Sequence, residues 1–129
     1  MKPQILFLNV SDGKINKLKP VLGLMGIGIK TIDKAQLNDT VGYIAYPEEF
    51  ENNPDTGDIP EFSEEFMLIC GLNSKALDTV LNLMRKNKQS IALKAMLTET
   101  NQNWSLKKLI NEINAERMMI ASQIKNKSC

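Results

Sequence analysis

Histidine is absent from this chain of 129 residues. Without an imidazole, the chain has neither a Ser-His or Cys-His nucleophile nor a histidine ligand for a metal. Two cysteines are too few for a disulfide framework or a Cys-rich zinc site. Aromatic residues make up 5% of the chain, and 16 basic residues nearly balance 15 acidic ones. We therefore predict no metal and no cofactor, and nucleic acid is the least favoured partner because stacking side chains and net positive charge are both scarce.

Long apolar segments are also missing. The longest apolar run, at residues 21–29, has nine residues, whereas a membrane-spanning helix needs about 20. The first residues lack the charged start, apolar stretch and cleavage site of an export signal. We expect a cytoplasmic protein with free thiols that does not enter a membrane.

What the chain does have is an uneven distribution of charge. No Lys or Arg lies between Lys34 and Lys75, and nine acidic residues fall in that interval. Residues 46–65 also contain three prolines and Gly57, which break any helical or strand period. We interpret residues 46–65 as an acidic connector. It is either a solvated loop or, alternatively, a cation site or a strap that lies on the more basic halves of the chain.

The pattern of apolar residues predicts two β-α-β units, at 4–33 and 66–97. Each begins with a continuous apolar run (residues 5–10 and 66–70), continues with an amphipathic helix and ends with a second strand. Residues 18–25 and 77–84 have identical Leu, Val, Leu, Leu and Met residues at the same spacing. We infer an internal duplication from this match.

Two such units favour one α+β domain over residues 1–129. We predict a four-stranded sheet of the ferredoxin-like, split β-α-β type, with the two continuous apolar strands at its centre. A doubly wound parallel α/β sheet is the alternative, although the interval between the second and third strands has no clear long crossover helix. Residues 105–126 form a further predicted helix. This helix, or a second subunit, would cover the sheet face that the first two helices leave open. Its apolar stripe comprises Leu106, Leu109, Ile110, Ile113, Met118, Met119, Ile120 and Ile124.

The segment from Leu93 to Trp104 is the most distinctive part of the sequence. Its Thr and Asn side chains can cap turns, and its tryptophan requires burial. The segment is either a structural connection or a ligand-binding corner, whose candidate residues are Lys94, Thr98, Thr100, Asn101 and Trp104. Cys70 is a second candidate. It precedes a predicted helix and is either a reactive thiol or a buried structural side chain.

The same segment carries a family resemblance. The pattern Leu93-Lys94-Ala95-x-Leu97-Thr98-x-Thr100-Asn101-x-x-Trp104, with Cys70-Gly71 and Val41-Gly42-Tyr43-Ile44 upstream, resembles a bacterial family called domain of unknown function 3783. The similarity covers most of the chain and is strongest over residues 66–113. Ala92 and Glu99 stand where family members commonly have proline, and the chain continues further beyond Ile113. The resemblance implies a small cytoplasmic protein of anaerobic or gut-type bacteria and no particular activity.

We therefore predict a non-catalytic module that binds a partner protein, or a second copy of itself as a homodimer, through the sheet face or the C-terminal helix. One alternative is a small-molecule-binding protein or enzyme that uses Cys70 or the corner around Lys94. The other is a weak RNA-binding protein, which we rank last.

Overall fold

The two most apolar strands lie side by side at the centre of a four-stranded sheet. In this computed structural model, residues 2–127 are described, with side chains described for residues 2–116. Strands β1 (Gln4–Leu8), β2 (Gly28–Thr31), β3 (Phe66–Cys70) and β4 (Leu93–Met96) follow the order β2-β1-β3-β4. The prediction that the continuous apolar strands are central and the others are edges is confirmed. Central strands are covered on both faces, which explains their uninterrupted apolar sequence.

Helices and a short 3-10 helix connect these strands. Helix α1 (Asp12–Leu24) joins β1 to β2, and helix α3 (Ser74–Lys86) joins β3 to β4. Between the two units lie a 3-10 helix (Lys34–Asn38) and the short helix α2 (Val41–Ala45). Helix α4 (Leu106–Lys127) ends the described chain. None of the helices in the described part is both long enough and apolar enough to cross a bilayer.

The sheet is mixed, so the fold is α+β, but its connections differ from the predicted form. β1 pairs with β2 in parallel, β1 with β3 antiparallel, and β3 with β4 in parallel. The split arrangement is not confirmed, because the two parallel strands of each unit are hydrogen-bonded neighbours with no strand inserted between them. The doubly wound parallel sheet is wrong, because its central pair would have to be parallel.

Both faces of the sheet are covered. Ile5, Phe7, Met67 and Ile69 pack under α1 and α3. The side chains of β1 and β3 on the other face pack against residues of the 3-10 helix, α2 and the first turns of α4. The strand residues on this face are Leu6, Leu8, Phe66, Leu68 and Cys70. These five are at most 1% exposed. The expectation that the C-terminal helix covers this face is confirmed for its first turns, and the sheet face is therefore not available for a partner. The predicted stripe residues Met118, Met119, Ile120 and Ile124 lie outside the residues whose side chains are described.

The two β-α-β units share one geometry. Gln4 and Phe66 begin the central strands, Asp12 and Ser74 begin the helices, and each pair is separated by 62 residues. Residues with left-handed backbone are also 62 positions apart. Asn9 (φ 60°) corresponds to Gly71 (φ 73°), and Gly26 (φ 71°) corresponds to Lys88 (φ 55°). The sequence match of residues 18–25 with 77–84 has a separation of 59, one helical turn away from this correspondence. Internal duplication therefore stays a prediction. To align the two units correctly, residues must be paired at the structural separation of 62 rather than at the sequence separation of 59.

The acidic connector is attached to the rest of the molecule along its length. The Asp55 amide donates to the Asn38 carbonyl at 2.7 Å, and the Asn38 side chain donates to the Gly57 carbonyl at 3.1 Å. Asn9 donates to the Phe62 carbonyl at 2.9 Å, and the Lys14 ammonium lies 2.7 Å from a Glu65 carboxylate oxygen. Most of residues 46–65 are exposed, and these contacts fix the segment to its neighbours, as the strap interpretation requires.

Candidate functional site

The corner after β4 is built on a reciprocal pair of hydrogen bonds. The Asn101 side-chain oxygen accepts from the Thr98 amide at 2.9 Å, and the Thr98 hydroxyl accepts from the Asn101 amide at 3.1 Å. The Asn101 side-chain amide also donates to the Met96 carbonyl at 2.9 Å. Asn101 is 7% exposed, so its polar atoms have their partners within the protein. Asn101 therefore has a structural role, and we call it a clamp because its side chain connects the Thr98 amide to the Met96 carbonyl.

The tryptophan is held by a neighbouring helix as well as by its own segment. The Val41 amide donates to the Trp104 carbonyl and the Gly42 amide to the Gln102 carbonyl, both at 2.9 Å. A Cβ at Gly42 would lie 2.7 Å from the Phe50 ring and 3.0 Å from the Gln102 carbonyl oxygen. Only glycine allows this close approach. The first turn of α2 thus positions the corner through backbone contacts.

The outer edge of β4 is open along part of its length. The Leu93 and Leu97 amides donate to β3 and its extension, at 3.1 and 2.9 Å. Because successive residues of a strand point their backbone groups to opposite sides, the amides of Lys94 and Met96 point outward. The outward Met96 carbonyl is the one that Asn101 occupies. Three outward groups are therefore left without a hydrogen bond among the described residues: the amide and carbonyl of Lys94 and the amide of Met96.

An open cleft of about 310 Å³ runs along this edge, between β4 and α4. All five predicted corner residues line it: Lys94, Thr98, Thr100, Asn101 and Trp104. The structure adds lining residues that sequence reasoning missed, namely Ala95, Met96, Leu109, Glu112, Ile113 and Glu116. Helical spacing alone predicts that Glu112, Ile113 and Glu116 lie near one another on α4. The sequence does not predict that this part of the helix lies beside β4.

Charges in and around the cleft differ in whether they have partners. The Lys94 ammonium donates to the Ile91 carbonyl at 2.9 Å. The Lys108 ammonium lies over the Trp104 ring, 4.6 Å from its centroid. Glu112 and Glu116 are exposed, four residues apart on α4, and the structure records no ion pair for either within the described residues.

Cys70 lies apart from this corner, in the core under α2 and α4. Its exposed fraction is 0%, and burial raises the pKa of its thiol to about 12, although the positive charge of Lys30 acts in the opposite direction. The thiol is therefore protonated near neutral pH and shielded from solvent, which favours the structural interpretation over the reactive one.

The described residues offer little to a metal. Within the part of the chain that the structure describes, no three Cys, Asp or Glu side chains converge on a point where they could hold an ion. The acidic connector spreads its carboxylates along the surface, and Asp55 is paired with Lys107 at 3.6 Å.

Comparison with known proteins gives a family but no activity. No curated protein and no solved structure gave a significant match to the chain. Residues 65–120 match the model of a family described as Domain of unknown function (DUF3783). This interval contains β3, α3, β4, the corner and the start of α4, and leaves out the earlier segment around Gly42 on which the resemblance also drew. The predicted resemblance to the domain of unknown function 3783 family is therefore confirmed over residues 65–120, which are 56 of the 129 residues.

Proposed function

We propose that this protein is a non-catalytic binding module that takes up an extended segment of a partner protein along the free edge of β4. The observation that carries the proposal is the juxtaposition of three outward backbone groups on β4 with the cleft between β4 and α4. An extended peptide can add to such an edge as a further strand, with alternate side chains directed into the cleft. The proposal keeps the predicted corner residues and moves the interaction away from the covered sheet face.

The energetics require both parts of the site. A hydrogen bond contributes about 1 kcal/mol net, so three outward groups supply about 3 kcal/mol. A micromolar complex needs about 8 kcal/mol, and the remainder has to come from side chains in the cleft. The apolar parts of Ala95, Trp104 and Ile113 line the cleft on the α4 side of the sheet and are the surfaces that can supply it.

The alternative functions find less support in the geometry. An enzyme using Cys70 would need a thiolate, which burial disfavours. An RNA-binding sheet would need exposed aromatic side chains, whereas Phe7 and Phe66, the aromatic residues of the four strands, are 1% and 0% exposed.

A display library of random ten-residue peptides, selected against the full chain, tests the proposal. For a selected peptide, hydrogen exchange measured by NMR should show new protection at the amides of Lys94 and Met96 and none at Ile29 and Thr31 of the opposite edge. Failure to enrich any peptide, or protection that appears elsewhere, would overturn the proposal. Light scattering shows whether a second copy occupies the edge instead. A homodimer with protected Lys94 and Met96 amides would replace the separate partner with the chain itself.

Proline substitution provides a matched pair of variants. Met96→Pro removes an outward amide of β4, and Thr31→Pro removes an outward amide of β2 without touching the cleft. Neither amide pairs with a neighbouring strand, so both variants should keep the sheet. We expect Met96→Pro to weaken peptide binding by about fivefold, the equivalent of one hydrogen bond of about 1 kcal/mol, and Thr31→Pro to leave it within about twofold. Equal binding by the two folded variants would contradict the role of the β4 edge.

A further inference from the structure

We infer that the segment bound along β4 is basic, with Lys or Arg side chains on the face that it directs toward α4. This inference rests on the proposed function and adds the chemistry of the partner. It follows from the combination of an apolar cleft floor with carboxylates on one wall that have no partner in the described structure.

The electrostatic part of the argument is a comparison of the charges around the cleft. The Lys94 ammonium donates to the Ile91 carbonyl at 2.9 Å, and the Lys108 ammonium lies 4.6 Å from the centroid of the Trp104 ring. Within the described residues neither ammonium forms an ion pair with Glu112 or Glu116. Glu112 and Glu116 line the cleft and have the same charge at a spacing of four residues, an arrangement that destabilises a helix slightly. A cation from the partner would relieve that repulsion.

The shape of the cleft adds a second requirement. Leu109 and Ile113 lie on the buried side of α4, next to the exposed carboxylates, and Trp104 stands at the corner. A Lys or Arg side chain can lay its aliphatic stem on such an apolar surface and extend its charged end to a carboxylate. A short polar side chain would leave the apolar surface exposed to water. An aspartate or glutamate would be repelled by the carboxylates of Glu112 and Glu116.

Three peptides that differ at two positions provide the test. Each has ten alternating Thr and Val residues, and the two central positions that face α4 carry Lys, norleucine or Glu. Norleucine keeps the aliphatic stem and removes the charge, so it separates apolar contact from charge pairing. We expect the Lys peptide to bind the full chain about fivefold more tightly than the norleucine peptide and more than about tenfold more tightly than the Glu peptide, with a preference that declines as salt is raised.

A double variant connects that preference to the cleft. Glu112→Gln with Glu116→Gln should reduce the preference for Lys over norleucine to less than about twofold. Glu48→Gln with Glu49→Gln, which changes the net charge equally at exposed positions outside this cleft, should leave it unchanged. A preference that survives the first double variant, or that both abolish, would overturn the inference.

The outcomes separate the two proposals. If none of the three peptides binds and the display library yields none that protects Met96, the proposed function fails. If all three bind with equal affinity and protect the Met96 amide, the edge-strand function stands and the inference about charge is refuted.

Discussion

Replacing Asn101 with alanine tests whether the corner beside the cleft is held by the contacts described. The substitution removes a side-chain oxygen that accepts from the Thr98 amide and a side-chain amide that donates to the Met96 carbonyl, both at 2.9 Å. Each hydrogen bond contributes about 1 kcal/mol net, so we expect Asn101→Ala to lower the free energy of unfolding by about 2 kcal/mol.

The magnitude depends on solvent at the two abandoned groups. Thr98 is exposed and Met96 is 39% exposed, so water can reach the Thr98 amide and the Met96 carbonyl after the substitution. The larger cost of a buried group left without any partner therefore does not apply. For a chain of this size, a loss of 2 kcal/mol corresponds to a decrease in Tm of about 6–10 °C.

Urea unfolding followed by fluorescence is the assay, because Trp104 is the only tryptophan and lies three residues from the substitution. Asn103→Ala is the matched control. Asn103 is exposed in the same turn, and no hydrogen bond of its side chain is recorded among the described residues. We expect the control to change the free energy of unfolding by less than about 0.5 kcal/mol. Equal losses in both variants, or a loss below 0.5 kcal/mol for Asn101→Ala, would refute the clamp.

Three further outcomes follow from backbone space and burial. Gly42→Ala should destabilise the protein in thermal unfolding and decrease peptide binding, because the added Cβ would lie 2.7–3.0 Å from atoms of Phe50 and Gln102. Gly23→Ala is the control: a Cβ there would meet nothing within 4 Å, and the substitution should stabilise the protein by about 0.4–1 kcal/mol. In a Cys129→Ser background, iodoacetamide should label Cys70 at least about a hundredfold more slowly in buffer than in 8 M urea, and equal rates would contradict its burial. Burial raises the pKa values of Cys70 and Tyr46 from 9.0 and 10.0 to about 12, so the unfolded chain releases protons first and stability should fall as pH rises from about 9 to 12. Cys70→Ala should reduce that slope, and an unchanged slope would count against the raised pKa of the thiol.

Much of the local structure could be predicted from local patterns. The apolar runs at residues 5–10 and 66–70 mark strands that are buried on both faces, and an uninterrupted run is what such burial requires. Helix starts also follow from local chemistry, since Ser and Asn are favoured capping residues and the side chains of Ser11 and Asn73 accept from amides in the first turns of α1 and α3. Thr98, Asn101 and Trp104 are joined by hydrogen bonds within one turn, because turn chemistry acts over three or four positions.

The repeat shows how local similarity can give the wrong register. Residues 18–25 match residues 77–84 in sequence, yet Leu18 occupies the position equivalent to Val80, and Leu22 the position equivalent to Met84, as judged from the separation of the strands. Leucines recur every three or four residues on an amphipathic helix, so a shift of one turn preserves much of the pattern. Leu24 is 91% exposed although its sequence counterpart Leu83 is partly buried.

By itself, the sequence determined the four strands, helices α1, α3 and α4 and which strands are central, because all of these depend on patterns within a few residues. The 3-10 helix and α2 were not predicted. Only the tertiary structure decided that the central strands are antiparallel, that each β-α-β unit joins neighbouring strands and that the 3-10 helix and α2 cover the second face together with α4. The cleft between β4 and Glu112 belongs to this second group. Strand pairing and helix placement depend on contacts between residues far apart in the chain, and the same apolar periodicity is compatible with several such pairings.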